Sequence, residues 1–164
     1  MRVSFFHKEL ILDTLEAESG EDAIRKIGGV LVSNGYVDPS YTKSVIEREA
    51  NFPTGLPLPD AVIAIPHATP AGNVFKDSIA VARLLKPVKF HSMEDPEQEV
   101  SVNLIFLLAL KDSHSHLDML KKLFTVFHKP GFLQSLAKCS GKEQIMALLQ
   151  ENFASDEEAS KNAG

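Results

Sequence analysis

Residues 102–110 constrain the fold more than any other stretch. Within them, "LIFLLAL" at 104–110 has no charge, proline or glycine. It is far too short to cross a bilayer, which takes about 20 apolar residues in a helix. A short run of this kind suits a central buried strand. Two other strand-like runs precede it, at 62–65 and 78–85, and 9–15 is a weaker candidate for a first strand. The acidic "MEDPEQE" at 93–99 reads as a surface turn between the last two strands.

Helical patterns surround these runs. "SGEDAIRKIGGVLVSNGYV" opens with Ser19 and Asp22 in a capping arrangement, puts Ala23, Ile27, Val30 and Leu31 on one face and stops at Asn34-Gly35. "DPSYTKSVIEREANF" has Asp38 as N-cap and Pro39 at the first helical position. Ile46 and Ala50 share one of its faces, while Glu47, Arg48 and Glu49 project elsewhere. "PTGLPLP" at 53–59 reads as loop, since three prolines and a glycine break a ladder or a helix. From His116 onward Leu117, Leu120, Leu123, Phe124 and Phe127 recur at helical spacing up to the break at Pro130-Gly131. Short helices are expected at 132–137 and 142–151. The polar, acidic 154–164 is expected to be disordered. Helices and strands alternate early and helices cluster late. This predicts an α/β fold, a single-domain sandwich over 1–153 with a central mixed β-sheet flanked by helices.

The 164 residues fit one domain, with 44% hydrophobic and 24% charged residues. A net charge of −5 gives no reason to expect nucleic acid or an anionic membrane as partner. The single cysteine, Cys139, forms no internal disulfide. The N-terminal residues lack the apolar core of a signal peptide, so the expected location is cytoplasmic. There is no Walker A loop, G-x-G-x-x-G or G-x-S-x-G, so no standard nucleotide loop and no cofactor is expected.

Three places hold candidate chemistry. His67 follows the 62–65 strand between Pro66 and Pro70, in a turn that proline makes stiff. It is either a surface loop histidine or a reactive group held in one orientation. His114 and His116 lie where the apolar strand meets a helix. They read as polar cap residues, or, for His116, as an imidazole kept neutral by the helix dipole. A metal site from His67, His114 and His116 with Asp112 or Asp118 is a third reading, although the spacing matches no strong zinc pattern. Arg48 is either a solvated helix residue or, if its helix end points at His67, a bidentate holder of a phosphoryl group. Cys139 reads as a partly buried structural thiol.

"IAIPHA" at 63–68 resembles the phosphohistidine signature of enzyme IIA domains of the bacterial sugar phosphotransferase system, in the fructose–mannitol class. "RE" at 48–49, "FPTGL" at 52–56 and "HL" at 116–117 strengthen the likeness, which spans about residues 5–153. "REANFPTGL" with "IAIPHA" looks most like the galactitol-type branch. Ala68 stands where many relatives have glycine. The resemblance implies the mannitol-type enzyme IIA fold and a phosphoryl carrier. His67 would take the group from phospho-HPr and pass it to a cysteine of an enzyme IIB, which serves a membrane enzyme IIC. His116 and Arg48 would stabilise the phosphoryl group. Phe52, Leu56 and Leu58 are expected to form a docking rim. A regulatory module that signals by phosphorylation state is the alternative implied by the same fold.

Overall fold

The computed structural model describes residues 5–163, and of 154–163 the backbone alone. A 3-10 turn at Lys8–Leu10 leads into β1 (Ile11–Leu15). Helices α1 (Gly20–Ser33) and α2 (Pro39–Asn51) follow, then β2 (Leu56–Pro57), β3 (Val62–Ala64), β4 (Ser78–His91) and β5 (Glu99–Ala109). Helices α3 (Ser113–Phe127), α4 (Phe132–Lys138) and α5 (Gly141–Ala163) complete the chain. The expected tail disorder falls on residues whose side chains lie outside the described set.

The sheet order is β1-β4-β5-β3-β2. Pairing is parallel for β1 with β4 and for β3 with β5, antiparallel for β4 with β5 and for β2 with β3. The sheet is therefore mixed, as the alternation of elements implied. Strand β5 sits at its centre and side chains alternate along it. Leu104, Phe106 and Leu108 join a core with α3, α4 and α5. Ile105, Leu107 and Ala109 join a second core with α1 and α2. A strand buried on both faces has no position for a polar residue, which is why this run reads as continuous.

The helix starts follow local chemistry. Ser19 Oγ accepts the Asp22 N–H at 3.0 Å, and Asp38 caps α2 by accepting the Ser40 N–H at 2.9 Å, with Pro39 inside the first turn. The buried face of α2 differs from the expected one. Tyr41 and Val45 are fully buried, while Ile46 is half-buried and Ala50 exposed. The proline-rich 53–59 also departs from a pure loop. Leu56 and Pro57 pair with Ile63 and Val62 as a two-residue edge strand, a place where proline's missing N–H breaks no ladder.

Topology decides where function gathers. Because β3 and β5 are parallel neighbours, with Ile63 opposite Leu104 and Ala64 opposite Ile105, their carboxyl ends lie side by side. The Leu108 N–H to the Pro66 carbonyl, at 3.0 Å, carries the pairing one step past β3. The segment after β3 brings His67, and the segment after β5 starts α3 with His116. Adjacent carboxyl ends are where α/β sheets place ligand groups.

Candidate functional site

His67, His116 and Arg48 line one pocket, together with Ala68, Thr69, Ser113, Leu117 and Leu120. Three separate elements thus bring the sequence-selected side chains together. The His67 and His116 ring centroids are 5.6 Å apart, with the planes inclined at 39°.

His67 is half-buried, and its Nδ1 lies 2.8 Å from the Ile65 carbonyl oxygen. A carbonyl only accepts, so Nδ1 carries the proton and donates it. In the neutral ring the lone pair is then on Nε2. Burial holds the imidazole below its ordinary pKa, and the Arg48 charge acts in the same direction, against the bond to Ile65. The ring is neutral at pH 7 and presents one defined nucleophilic nitrogen.

Tyr41 fixes the backbone that follows His67. Its hydroxyl donates to the Leu108 carbonyl at 2.6 Å and accepts the Ala68 N–H at 3.2 Å. Burial pushes the phenol up to about 12, so it stays protonated. A buried tyrosine needs a partner for its hydroxyl, and here the partners tie α2 to β5 and to the residue after His67.

His116 is 5% exposed. The Leu110 N–H points at its Nε2 at 3.3 Å, so Nε2 holds the lone pair and Nδ1 the proton. Burial lowers its pKa to about 4, and the neighbouring His67 adds to this, against Asp77 and a backbone bond with Leu108. Ser113, in the first turn of α3, lines the same pocket, so the positive end of that helix lies beside the two neutral rings.

Arg48 supplies the full positive charge. Its guanidinium carbon lies 5.1 Å from the Phe52 ring centroid, a cation–π contact. Its Nε is buried with no hydrogen-bond partner, and among the described residues no carboxylate pairs with it. A pocket with an unpaired arginine, two neutral imidazoles, a helix N-terminus and no carboxylate in its lining suits a multiply charged anion such as a phosphoryl group.

His114 does not join the pocket. Its side chain is 80% exposed and Nε2 lies 3.4 Å from Asp118. Among the described residues no three His, Cys, Asp or Glu side chains converge as metal ligands would. Cys139 is also elsewhere. It is half-buried near the end of α4, where Arg83 holds the Cys139 and Leu136 carbonyls. The expected rim needs correction. Phe52 is exposed, but Leu56 is buried and Leu58 packs against the core. Leu117, one of the residues that recur at helical spacing, is exposed at the pocket.

Two supporting residues escaped selection. Glu49 accepts from the Thr54 N–H and from the Thr54 hydroxyl, both at 2.7 Å, and the Thr54 oxygen accepts the Ile65 N–H at 3.0 Å. Both residues sit in the quoted "RE" and "FPTGL" stretches, and that was the available signal. Only the fold reveals that they stand behind Ile65.

The model for the EIIA 2 family of the phosphoenolpyruvate-dependent sugar phosphotransferase system matches residues 4–152. The chain belongs to that family. The galactitol-specific EIIA component of Escherichia coli strain K12 is 30% identical over 115 residues, 70% of this chain and 75% of the relative. The mannitol-specific enzyme IIA component of Geobacillus stearothermophilus is 30% identical over 153 residues, 92% of this chain and 99% of the relative. A solved complex of enzyme IIAMTL and phosphorylated enzyme IIBMTL from Escherichia coli superposes with a TM-score of 0.75 at 26% identity. It covers 89% of this chain and 99% of that one. This EIIA 2 chain is thus a phosphotransferase-system domain with the α/β fold of the mannitol enzyme IIA. Among the described residues no helix is long and apolar enough to cross a membrane.

Proposed function

We propose that this EIIA 2 domain is a phosphohistidine carrier that takes a phosphoryl group from phospho-HPr on Nε2 of His67 and hands it to a cysteine of an enzyme IIB. The observation that carries this reading is the 2.8 Å bond from His67 Nδ1–H to the Ile65 carbonyl. It leaves the Nε2 lone pair as the nucleophile and fixes its direction.

The Nε2 lone pair forms the new P–N bond while the P–N bond to the donor histidine breaks, and that electron pair returns to the donor ring. The His67 proton stays on Nδ1 throughout. In the onward step a cysteine thiolate of the partner attacks phosphorus and the P–N electrons return to Nε2. Such transfers ask the protein for alignment and charge stabilisation more than for covalent chemistry. Arg48 and the α3 N-terminus supply the charge, and the neutral His116 ring borders the acceptor. Phe52 and Leu117, exposed around the pocket, give an incoming partner an apolar surface. The cargo served is a sugar or polyol of the galactitol kind. It meets the membrane enzyme IIC and the enzyme IIB and never touches this chain, which works in the cytoplasm.

The test is incubation with phosphoenolpyruvate, enzyme I and HPr, followed by intact mass. The expected outcome is a gain of one phosphate that acid removes, and no gain in a folded His67→Gln variant. Wild-type labelling of His67→Gln would refute the assignment.

A further inference from the structure

We propose that Glu49 is a positioning residue for His67, acting through the Thr54 hydroxyl and the Ile65 backbone; this rests on His67 being the phosphoryl acceptor. The bond directions in the chain are forced. In its ionised form the Glu49 carboxylate only accepts, and the Ile65 N–H only donates. The Thr54 hydroxyl between them must aim its proton at Glu49 Oε1, at 2.7 Å, and offer a lone pair to Ile65 N–H, at 3.0 Å. The second carboxylate oxygen takes the Thr54 N–H, also at 2.7 Å, so Thr54 is held at two points. Ile65 then presents its carbonyl to His67 Nδ1. Pro66 follows directly and has no N–H, so nothing on its own nitrogen helps to orient that carbonyl. The orientation comes from the Ile65 N–H on one side and the Pro66 carbonyl, bound to Leu108 N–H, on the other.

A structural threonine cap alone does not call for a half-buried carboxylate. Burial pushes the Glu49 carboxyl up to about 7, against the Thr54 bonds and the nearby His91 and Arg48. A group held at such cost has a use where alignment matters, and a misplacement of about 1 Å at a reacting centre costs about a hundredfold in rate. The carboxylate cannot be replaced by its amide without conflict. A glutamine at 49 has one acceptor where two donors now arrive, so either the Thr54 hydroxyl or the Thr54 N–H loses its partner.

The test uses the full chain with 15N-labelled histidine and reads the His67 tautomer by long-range proton–nitrogen correlation at a pH well above 7, where Glu49 is ionised. Wild type should show the Nδ1–H form. Glu49→Gln and the near-isosteric Thr54→Val should admit the Nε2–H form and accept the phosphoryl group from phospho-HPr about ten- to a hundredfold more slowly. Thr54→Ser keeps the hydroxyl and should keep the wild-type ring state. Folded Glu49→Gln or Thr54→Val with the wild-type tautomer overturns the proposal, whatever its rate. So does loss of that tautomer in folded Thr54→Ser. The tautomer needs no phosphoryl donor, so a wild-type chain that takes no phosphate would refute the carrier reading and leave the positioning role to be decided by the spectrum.

Discussion

At the scale of single residues, the buried His116 and the half-buried Glu49 have titrations that oppose one another. His116 titrates at about 4 in the folded chain against an ordinary 6.5. As pH falls, the unfolded chain takes that proton first, so the stability tied to His116 is complete above about pH 6.5 and is lost as pH falls through about 4. Glu49 titrates at about 7 against an ordinary 4.5. Here the folded chain takes the proton first, so its contribution is complete below about pH 4.5 and is lost as pH rises through about 7. Each displacement corresponds to about 3 kcal/mol at full extent. Between those limits the two slopes largely cancel, with His67, also held low by burial, tilting the balance toward loss in acid. Urea unfolding at about pH 7, 6 and 5 should therefore give a shallow decline for wild type. Glu49→Gln should fall steeply toward acid, and His116→Gln should flatten or rise. Parallel profiles in all three proteins would contradict the burial argument for both groups.

At the scale of elements, the close packing of α1 on α2 places Arg48, Glu49 and Tyr41 where they reach the site. Gly28 makes that approach possible. A Cβ there would lie 2.4 Å from Thr42 Oγ1 and 2.5 Å from Thr42 Cγ2. The Thr42 Cβ itself would lie 2.9 Å away, and no rotation about χ1 moves it. Gly28→Ala gains up to about 1 kcal/mol of helix propensity, but it forces the two helices apart at a cost of about 1–3 kcal/mol. The expected net result is a lower urea midpoint with unchanged m, partly recovered by adding Thr42→Ala. A rise in the midpoint would mean that α2 has room to move. Nothing in the local sequence announces this contact, and the same holds for the other departures from expectation. Ser19, Asp38, Pro39 and Pro66 were legible because caps and proline act within a few residues of themselves. The run at 104–110 was legible because burial on both faces removes all alternation. Tyr41 was not, since a tyrosine near a helix start is placed by partners 27 and 67 residues away, at Ala68 and Leu108. Leu56 and Leu58 were expected at an open docking rim, yet the β2 edge pairing and core contacts draw them inward. Glu49 in "ERE" looks like any charge on a wet helix until Thr54 and Ile65 are set beside it.

At the scale of the whole molecule, the question is whether two cores behave as one. One core lies between the sheet and α3, α4 and α5, the other between the sheet and α1 and α2. Strand β5 belongs to both, and Phe106 on one side and Leu107 on the other are neighbours in the chain and almost wholly buried. Loss of one layer would expose one face of β5 and strip support from the strand that the other layer packs on. The cores therefore cannot melt separately without exposing large apolar area, at about 25 cal/mol per Å². The chain also provides its own reporters. It has no tryptophan, and its two tyrosines, Tyr36 and Tyr41, both lie in the α1–α2 core. Tyrosine fluorescence thus follows one layer, while far-UV circular dichroism sums the helices of both. In urea at neutral pH the two signals should change together, with one midpoint and one m value. A fluorescence midpoint displaced from the dichroism midpoint would mean that the α1–α2 layer, which carries Arg48 and Glu49, unfolds on its own. Phosphoryl transfer would then depend on that layer's stability and not on the stability of the whole domain.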